Sequence, residues 1–191
     1  GGVGLGVHGW GIARGGTEQG GDPKEFSLED LQERCAEALD VASYYEWIRD
    51  CGLEMYPRFR GIERLRRRDG ESFARIRIPE GVAQGEGYGI HPTLLDGGFS
   101  VVAAALPRGN GEAGDAYMPL GLDAYRLYRP AGGRLYSHCV VRPGDAMGRE
   151  TLAADIRLLD EAGSVVAEVQ GLRLQRVDRG TLGRAGRDAS A

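Results

Sequence analysis

The chain has 191 residues, 41% of them hydrophobic and 27% charged, and carries a net charge of −4. That length and balance suit one globular domain with a real core, and the mild negative charge gives no reason to expect a nucleic-acid partner. No apolar run approaches the roughly 20 residues that cross a bilayer, so neither a membrane span nor a signal peptide is expected.

The first residue is Gly1 rather than Met, and the chain is expected to be a piece of a longer protein. Cys35, Cys51 and Cys139 are an odd set with no CxxC spacing, which reads as reduced structural thiols in a cytoplasmic protein. His8, His91 and His138 form no HExxH motif and pair with no cysteine cluster, so no metal site is expected.

Residues 1–12, rich in alternating Gly and Val or Leu, read as one short strand, and Gly15 to Asp22 as linker. Ser27 then offers an N-cap to a helix whose apolar positions are Leu28, Leu31, Cys35 and Leu39. A second helix is expected from Val41 to Cys51, capped by Asp40 and stopped by Gly52. Its Tyr44, Tyr45 and Trp47 are expected to pack on a sheet edge. The run Arg64–Arg68 reads as a solvated surface. Asp69-Gly70 is the strongest hairpin signal, joining strands over Arg58–Arg68 and Glu71–Pro79. In the second of these, Ala74, Ile76 and Ile78 share one face while Phe73, Arg75 and Arg77 share the other.

His91-Pro92 marks the start of the next helix, because proline fits the first helical turn. From there to Leu106 the residues are apolar nearly all round, which describes a helix enclosed by protein. The one carboxylate in it, Asp96, is costly there unless paired, protonated or used, and it is the leading catalytic candidate. Gly97 and Gly98 cost the helix roughly 1 kcal/mol each relative to Ala; close approach of a substrate arm and tight packing on a sheet both explain them. Ser100 has no recognisable His-Asp support and is not read as a nucleophile.

Further strands are expected at Tyr117–Tyr128, Arg134–Val141, Thr151–Leu159 and Val165–Val177. A turn falls at Glu161-Ala162-Gly163, and the change of parity at Gly171 marks a bulge. His138 and Cys139, adjacent in a strand, point to opposite faces and form no dyad. The residues from Thr181 onward read as linker. One apolar helix among five or six antiparallel strands is buried only if the sheet curls around it, an α+β arrangement.

Four segments in order resemble the dehydratase domain of modular type I polyketide synthases. His91-Pro92-Thr93-Leu94-Leu95-Asp96 is similar to its His-Pro-Ala-Leu-Leu-Asp motif. The stretch from Gly52 to Gly61 is similar to its Gly-Leu-x-Tyr-Gly-Pro-x-Phe-x-Gly segment. Tyr117-Met118-Pro119-Leu120 matches a strand opening, and Leu31–Cys35 the helix before the second half. The resemblance implies a double hotdog in which two halves each wrap a sheet around a helix, with the active site between them. This chain would be the C-terminal half: residues 1–14 a remnant strand of the first hotdog, 15–27 linker, 28–178 the hotdog and 179–191 a tail.

The chemistry implied is loss of water from a β-hydroxyacyl chain on acyl carrier protein, with no cofactor beyond the carrier's phosphopantetheine arm. A His in the first half removes the α-proton, and Asp96 protonates or orients the departing hydroxyl. His91, Pro92, Ser100, Tyr56, Pro57 and Phe59 are placed around it, lining the substrate path or supporting the carboxyl. Implied partners are the carrier protein, the N-terminal half and other synthase domains; a homodimer is left open.

The departures are specific. The family's His-x-x-x-Gly-x-x-x-x-Pro motif is absent, and His8 is followed at the fourth position by Ile12. His91 reads as a helix cap. Ser100 stands one turn after Asp96, where the family has Gln or His, and Met55-Tyr56 replaces Tyr-Gly before the proline. A pyran- or furan-forming cyclase, an isomerase, and a non-catalytic hotdog kept for dimerisation or carrier docking are the competing readings.

Overall fold

The computed structural model describes residues 25–51, 53, 55–83, 89–106, 116–143 and 150–177. The expected strand at 1–12 with His8, the Gly52 stop and the tail from Thr181 lie outside these residues.

Local chemistry opens the first two helices where the sequence places them. Ser27 Oγ accepts the Asp30 N–H at 3.1 Å at the start of α1 (Leu28–Arg34). Asp40 Oδ1 accepts the Ser43 N–H at 2.8 Å at the start of α2 (Val41–Asp50). Leu39 departs from expectation. It lies in a short edge strand, β1 (Glu37–Leu39), because α1 ends at Cys35, where the Arg66 guanidinium takes the carbonyls of Cys35 and Ala36.

Gly70 turns the hairpin between β2 (Ile62–Arg68) and β3 (Glu71–Arg77) with φ +79°, a conformation that favours glycine. The predicted parity holds: Ala74 and Ile76 enter the main core, and Phe73 enters a second cluster on the opposite face. Arg67 corrects the solvated reading of its run. It shares the parity of core Leu65, is only 5% exposed, and donates to the carbonyls of Ala104 at 2.7 Å and Leu106 at 3.0 Å.

The helix expected over His91–Leu106 is two: α3 (Pro92–Ser100) and α4 (Val102–Ala105), joined at Val101. The strand expected over Tyr117–Tyr128 also divides, into β4 (Ala116–Gly121) and β5 (Ala124–Leu127). Both pair with the long strand β8 (Val165–Val177), which bends between them at Gly171. There Gln170 and Gly171 oppose the single residue Asp155, whose Oδ1 accepts the Gly171 N–H at 2.8 Å, and Gly171 has φ +61°. With β6 (Arg134–Val141) and β7 (Thr151–Leu159), the eight strands among the described residues form one antiparallel sheet, ordered β1-β2-β3-β6-β7-β8-β4 with β5 also on β8.

α3 and α4 lie against β3 and β6 on one face. On the other, Leu31, Cys35, Phe73, Leu159 and Val165 form the second cluster under α1. Phe26, within the stretch expected as linker, packs there too, and its N–H donates to the Gly163 carbonyl at 2.9 Å. The three cysteines are buried and form no disulfide. Among the described residues, no helix is long and apolar enough to cross a membrane.

Candidate active site

His91 and Pro92 begin α3 as their chemistry dictates. His91 Nδ1 accepts the Thr93 N–H at 3.2 Å and contacts Thr93 Oγ1 at 2.7 Å. Its Nε2 lies 3.0 Å from the Ala83 carbonyl, which can only accept, so Nε2 carries the proton. Both ring nitrogens are thus engaged at the helix entry.

One side of α3 is sealed and one is open. Thr93, Leu94, Gly97 and Gly98 are buried against the sheet, while Pro92 and Asp96 are exposed and Leu95, Phe99 and Ser100 are half-buried. The enclosed helix and buried carboxylate expected from the sequence are therefore corrected. Positions 92, 95, 96 and 99 form a helical stripe that is exposed at Pro92 and Asp96 and half-buried at Leu95 and Phe99, with Asp96 the only charge in it. Desolvation by the surrounding protein pushes the Asp96 carboxyl above the usual carboxylate range, even though its own surface stays open to water. Among the described residues nothing hydrogen-bonds or ion-pairs with it.

Ser100 does not support the carboxyl. Its Oγ donates back to the Gly97 carbonyl at 2.9 Å, the local bond that serine makes readily within helices. Gly97 and Gly98 are both buried against the sheet, and at Gly98 the contact favours the packing reading. A Cβ on Gly98 would come within 2.9 Å of Leu158 Cδ2.

Pro57 and Phe59 lie in a short 3-10 turn, Pro57–Phe59, that packs against α3, with Tyr56 just before it and 37% exposed. The Arg58 guanidinium sits over both the Tyr56 and Phe59 rings, at 5.5 and 5.4 Å. Behind the turn, Tyr45 is buried; burial pushes its phenol up, and the charge of Asp96 adds to that rise. An open concavity of about 580 Å³ between Arg77–Val82 and Gly132–Arg134 has mixed polar and apolar walls and does not include Asp96.

Four polar side chains that the sequence presents as packing, as solvated surface or without distinction converge on the carbonyl end of α3 and on α4. Tyr44 Oη donates to the Ser100 carbonyl at 2.6 Å, Ser72 Oγ to Val101 at 2.8 Å, Ser137 Oγ to Gly98 at 3.1 Å, and Arg67 to Ala104 and Leu106. The available signal was parity: Ser72, Ser137 and Arg67 all sit in core-facing columns of strands, where a polar residue needs a partner.

Residues 23–184 match the family model described as polyketide synthase dehydratase N-terminal domain. The chain belongs to the polyketide synthase dehydratase family. It is 34% identical over 148 residues, 74% of this chain, to a subunit of the phenolphthiocerol/phthiocerol polyketide synthase of Mycobacterium tuberculosis. It is 31% identical over 175 residues, 91% of this chain, to polyketide synthase GfsE of Streptomyces halstedii. These alignments span only 8% and 4% of those long relatives.

Among solved structures, the dehydratase domain from the CurF module of curacin polyketide synthase matches with a TM-score of 0.71 at 29% identity, covering 82% of this chain and 53% of that one. CurK dehydratase, solved as an inactive Asp-to-Asn mutant, matches with a TM-score of 0.71 at 27% identity, covering 81% and 54%. The curved antiparallel sheet with its helix is the hotdog of these dehydratases, and the chain spans about half the length of each.

Proposed function

We propose that this chain is the C-terminal, acid-bearing hotdog of a polyketide synthase dehydratase, acting on a β-hydroxyacyl chain carried on the phosphopantetheine arm of acyl carrier protein. The half assignment rests on the His91–Asp96 motif and on the lack of the family's His-x-x-x-Gly-x-x-x-x-Pro motif, although the matching model is named for the N-terminal domain. One observation carries the reading: a lone carboxyl, raised toward its protonated form, stands in an otherwise apolar stripe that a second half would cover.

The chemistry follows from that placement. Docking a second half on the stripe would remove water from Asp96 and raise its pKa further, so that it holds a proton near neutral pH. A base in the other half would take the α-proton, and Asp96 would give its proton to the departing β-hydroxyl, which leaves as water. No further cofactor enters the reaction. The relatives named as polyketide synthases, far longer than the matched segment, support partnership with further synthase domains.

The test joins the chain to a His-bearing half and follows loss of water from a β-hydroxyacyl carrier protein by mass spectrometry. Asp96→Asn, nearly isosteric but unable to donate a carboxylic proton, is expected to reduce turnover about 10²–10⁴-fold with the fold retained. Full activity in Asp96→Asn would sink the assignment and favour the cyclase, isomerase or non-catalytic readings.

A further inference from the structure

We infer that Tyr44 and Ser137 are positioning residues for Asp96: by tying the last carbonyls of α3 they set the rotation of the helix that presents the carboxyl. This rests on the reading of Asp96 as the acid, while its physical basis is independent of any reaction.

The last carbonyls of a helix have no N–H one turn ahead to receive them. Here the helical path breaks at the fully buried Val101, so α3 reaches that condition against the core, with Gly98 buried and Ser100 half-buried. Ser137, fully buried on β6, donates to Gly98, and Tyr44, buried on α2, donates to Ser100. Residues two apart lie about 200° apart around a helix. The two ties therefore hold α3 from nearly opposite sides: Gly98 on the sheet side, Ser100 within about 40° of Asp96.

A helix held on one side can roll; one held on both cannot. A side-chain tip lies about 6 Å from the helix axis, so a roll of about 20° would carry the carboxyl roughly 2 Å. Misplacement of about 1 Å can cost on the order of 10²-fold in rate. Gly98 adds to the constraint, since α3 presses on Leu158 at that point with no side chain between them. Neither Tyr44 nor Ser137 lies on the open stripe, and each acts only through Asp96.

The test uses the whole 191-residue chain and reads the Asp96 carboxyl by carbon-13 NMR across a pH titration. Tyr44→Phe and Ser137→Ala each remove one donor with little change of shape, and Ser27→Ala, which removes the α1 cap far from α3, serves as control. The expected result is a displaced Asp96 resonance and titration midpoint in Tyr44→Phe and Ser137→Ala, larger in the double variant, and none in Ser27→Ala. In the protein joined to its other half, kcat should fall about 10- to 100-fold in the double variant with KM little changed.

An Asp96 titration that superposes on the parent's in both folded variants overturns the positioning role. That failure is separable from failure of the acid reading. If Asp96→Asn abolishes turnover while the titrations superpose, only positioning falls. If Asp96→Asn turns over fully, the catalytic meaning falls with the acid assignment.

Discussion

Asp96 carries opposite consequences for stability and for chemistry. Its pKa is raised in the folded chain, so between the ordinary carboxyl value and the raised one the native state holds more proton than the unfolded state. Stability from this group is therefore present below the ordinary value and lost as pH rises through the raised one. Asp96→Asn, which has no charge to desolvate, is expected to melt at a higher temperature than the parent at about pH 7 and with no gain near pH 3. Thermal denaturation at the two pH values checks this, and a lower melting point at the neutral one would contradict it.

The paired glycines give a second contrast at this scale. A Cβ on Gly97 meets Ile76 at an ordinary 3.8 Å, so Gly97→Ala should gain up to about 1 kcal/mol from helix propensity. On Gly98 it meets a fully buried Leu158 at 2.9 Å, so Gly98→Ala should lose on the order of 1–3 kcal/mol. Urea titration of each variant decides whether the two changes differ in sign. The thiols of Cys35 and Cys139 should be unreactive in the native chain, because burial raises Cys35 to about 11 and pushes Cys139 up as well.

Among the elements, α1 is fastened to the sheet by a polar cluster centred on the buried Glu71 and His138. His138 Nε2 donates to Glu71 Oε1 at 2.6 Å, and Arg34 and Arg68 reach the same carboxylate, each at 2.6 Å. Burial works to raise the Glu71 pKa, but the bonds from His138, Arg68 and Arg34 outweigh it and hold it down. Burial holds His138 below its ordinary value, against the pull of Glu71, and Arg157 and Arg34 add to the depression. An unfolded histidine takes a proton near about pH 6.5, and His138 resists until lower pH, so stability is lost as pH falls through that window. Melting temperature should decline between about pH 7.5 and 5.5, and His138→Gln should flatten the decline. An unchanged slope in that variant would remove His138 from the cause.

Elements were legible where local chemistry decides them. Ser27, Asp40 and His91 cap the helices that the sequence predicts, Gly70 turns its hairpin, and Gly171 bulges its strand. The break at Val101 was not legible, because the run from Pro92 to Leu106 contains no internal proline or other strong helix breaker at that point. The bonds that stabilise the break come from Tyr44, Ser72 and Ser137, which stand 29 to 56 residues along the chain from the carbonyls they serve.

For the whole molecule, the chain spans about half the length of its solved relatives. The isolated chain is expected to show no dehydration of a β-hydroxyacyl carrier protein at an enzymatic rate, since it lacks the family's proton-abstracting His motif. Mass spectrometry after incubation with that substrate checks it; efficient turnover would make another group of this chain the base.

What the sequence by itself determined was an antiparallel sheet around an apolar helix, with the hotdog implied by the family resemblance and Asp96 singled out as the residue to test. Period, caps, turns and the His91–Asp96 motif are local, and local signals survive without coordinates. Three matters were decided only by tertiary structure. Asp96 faces outward, because the sheet takes the Gly97–Gly98 side of α3, and a lone periodic stripe does not say which of its faces will be covered. Arg67 goes inward, because the carbonyls of α4 happen to end beneath it. Tyr44 and Ser137 donate to the last carbonyls of α3; strand parity marks Ser137 as a buried polar residue that needs a partner, but every residue has a backbone oxygen, so the sequence could not say which one.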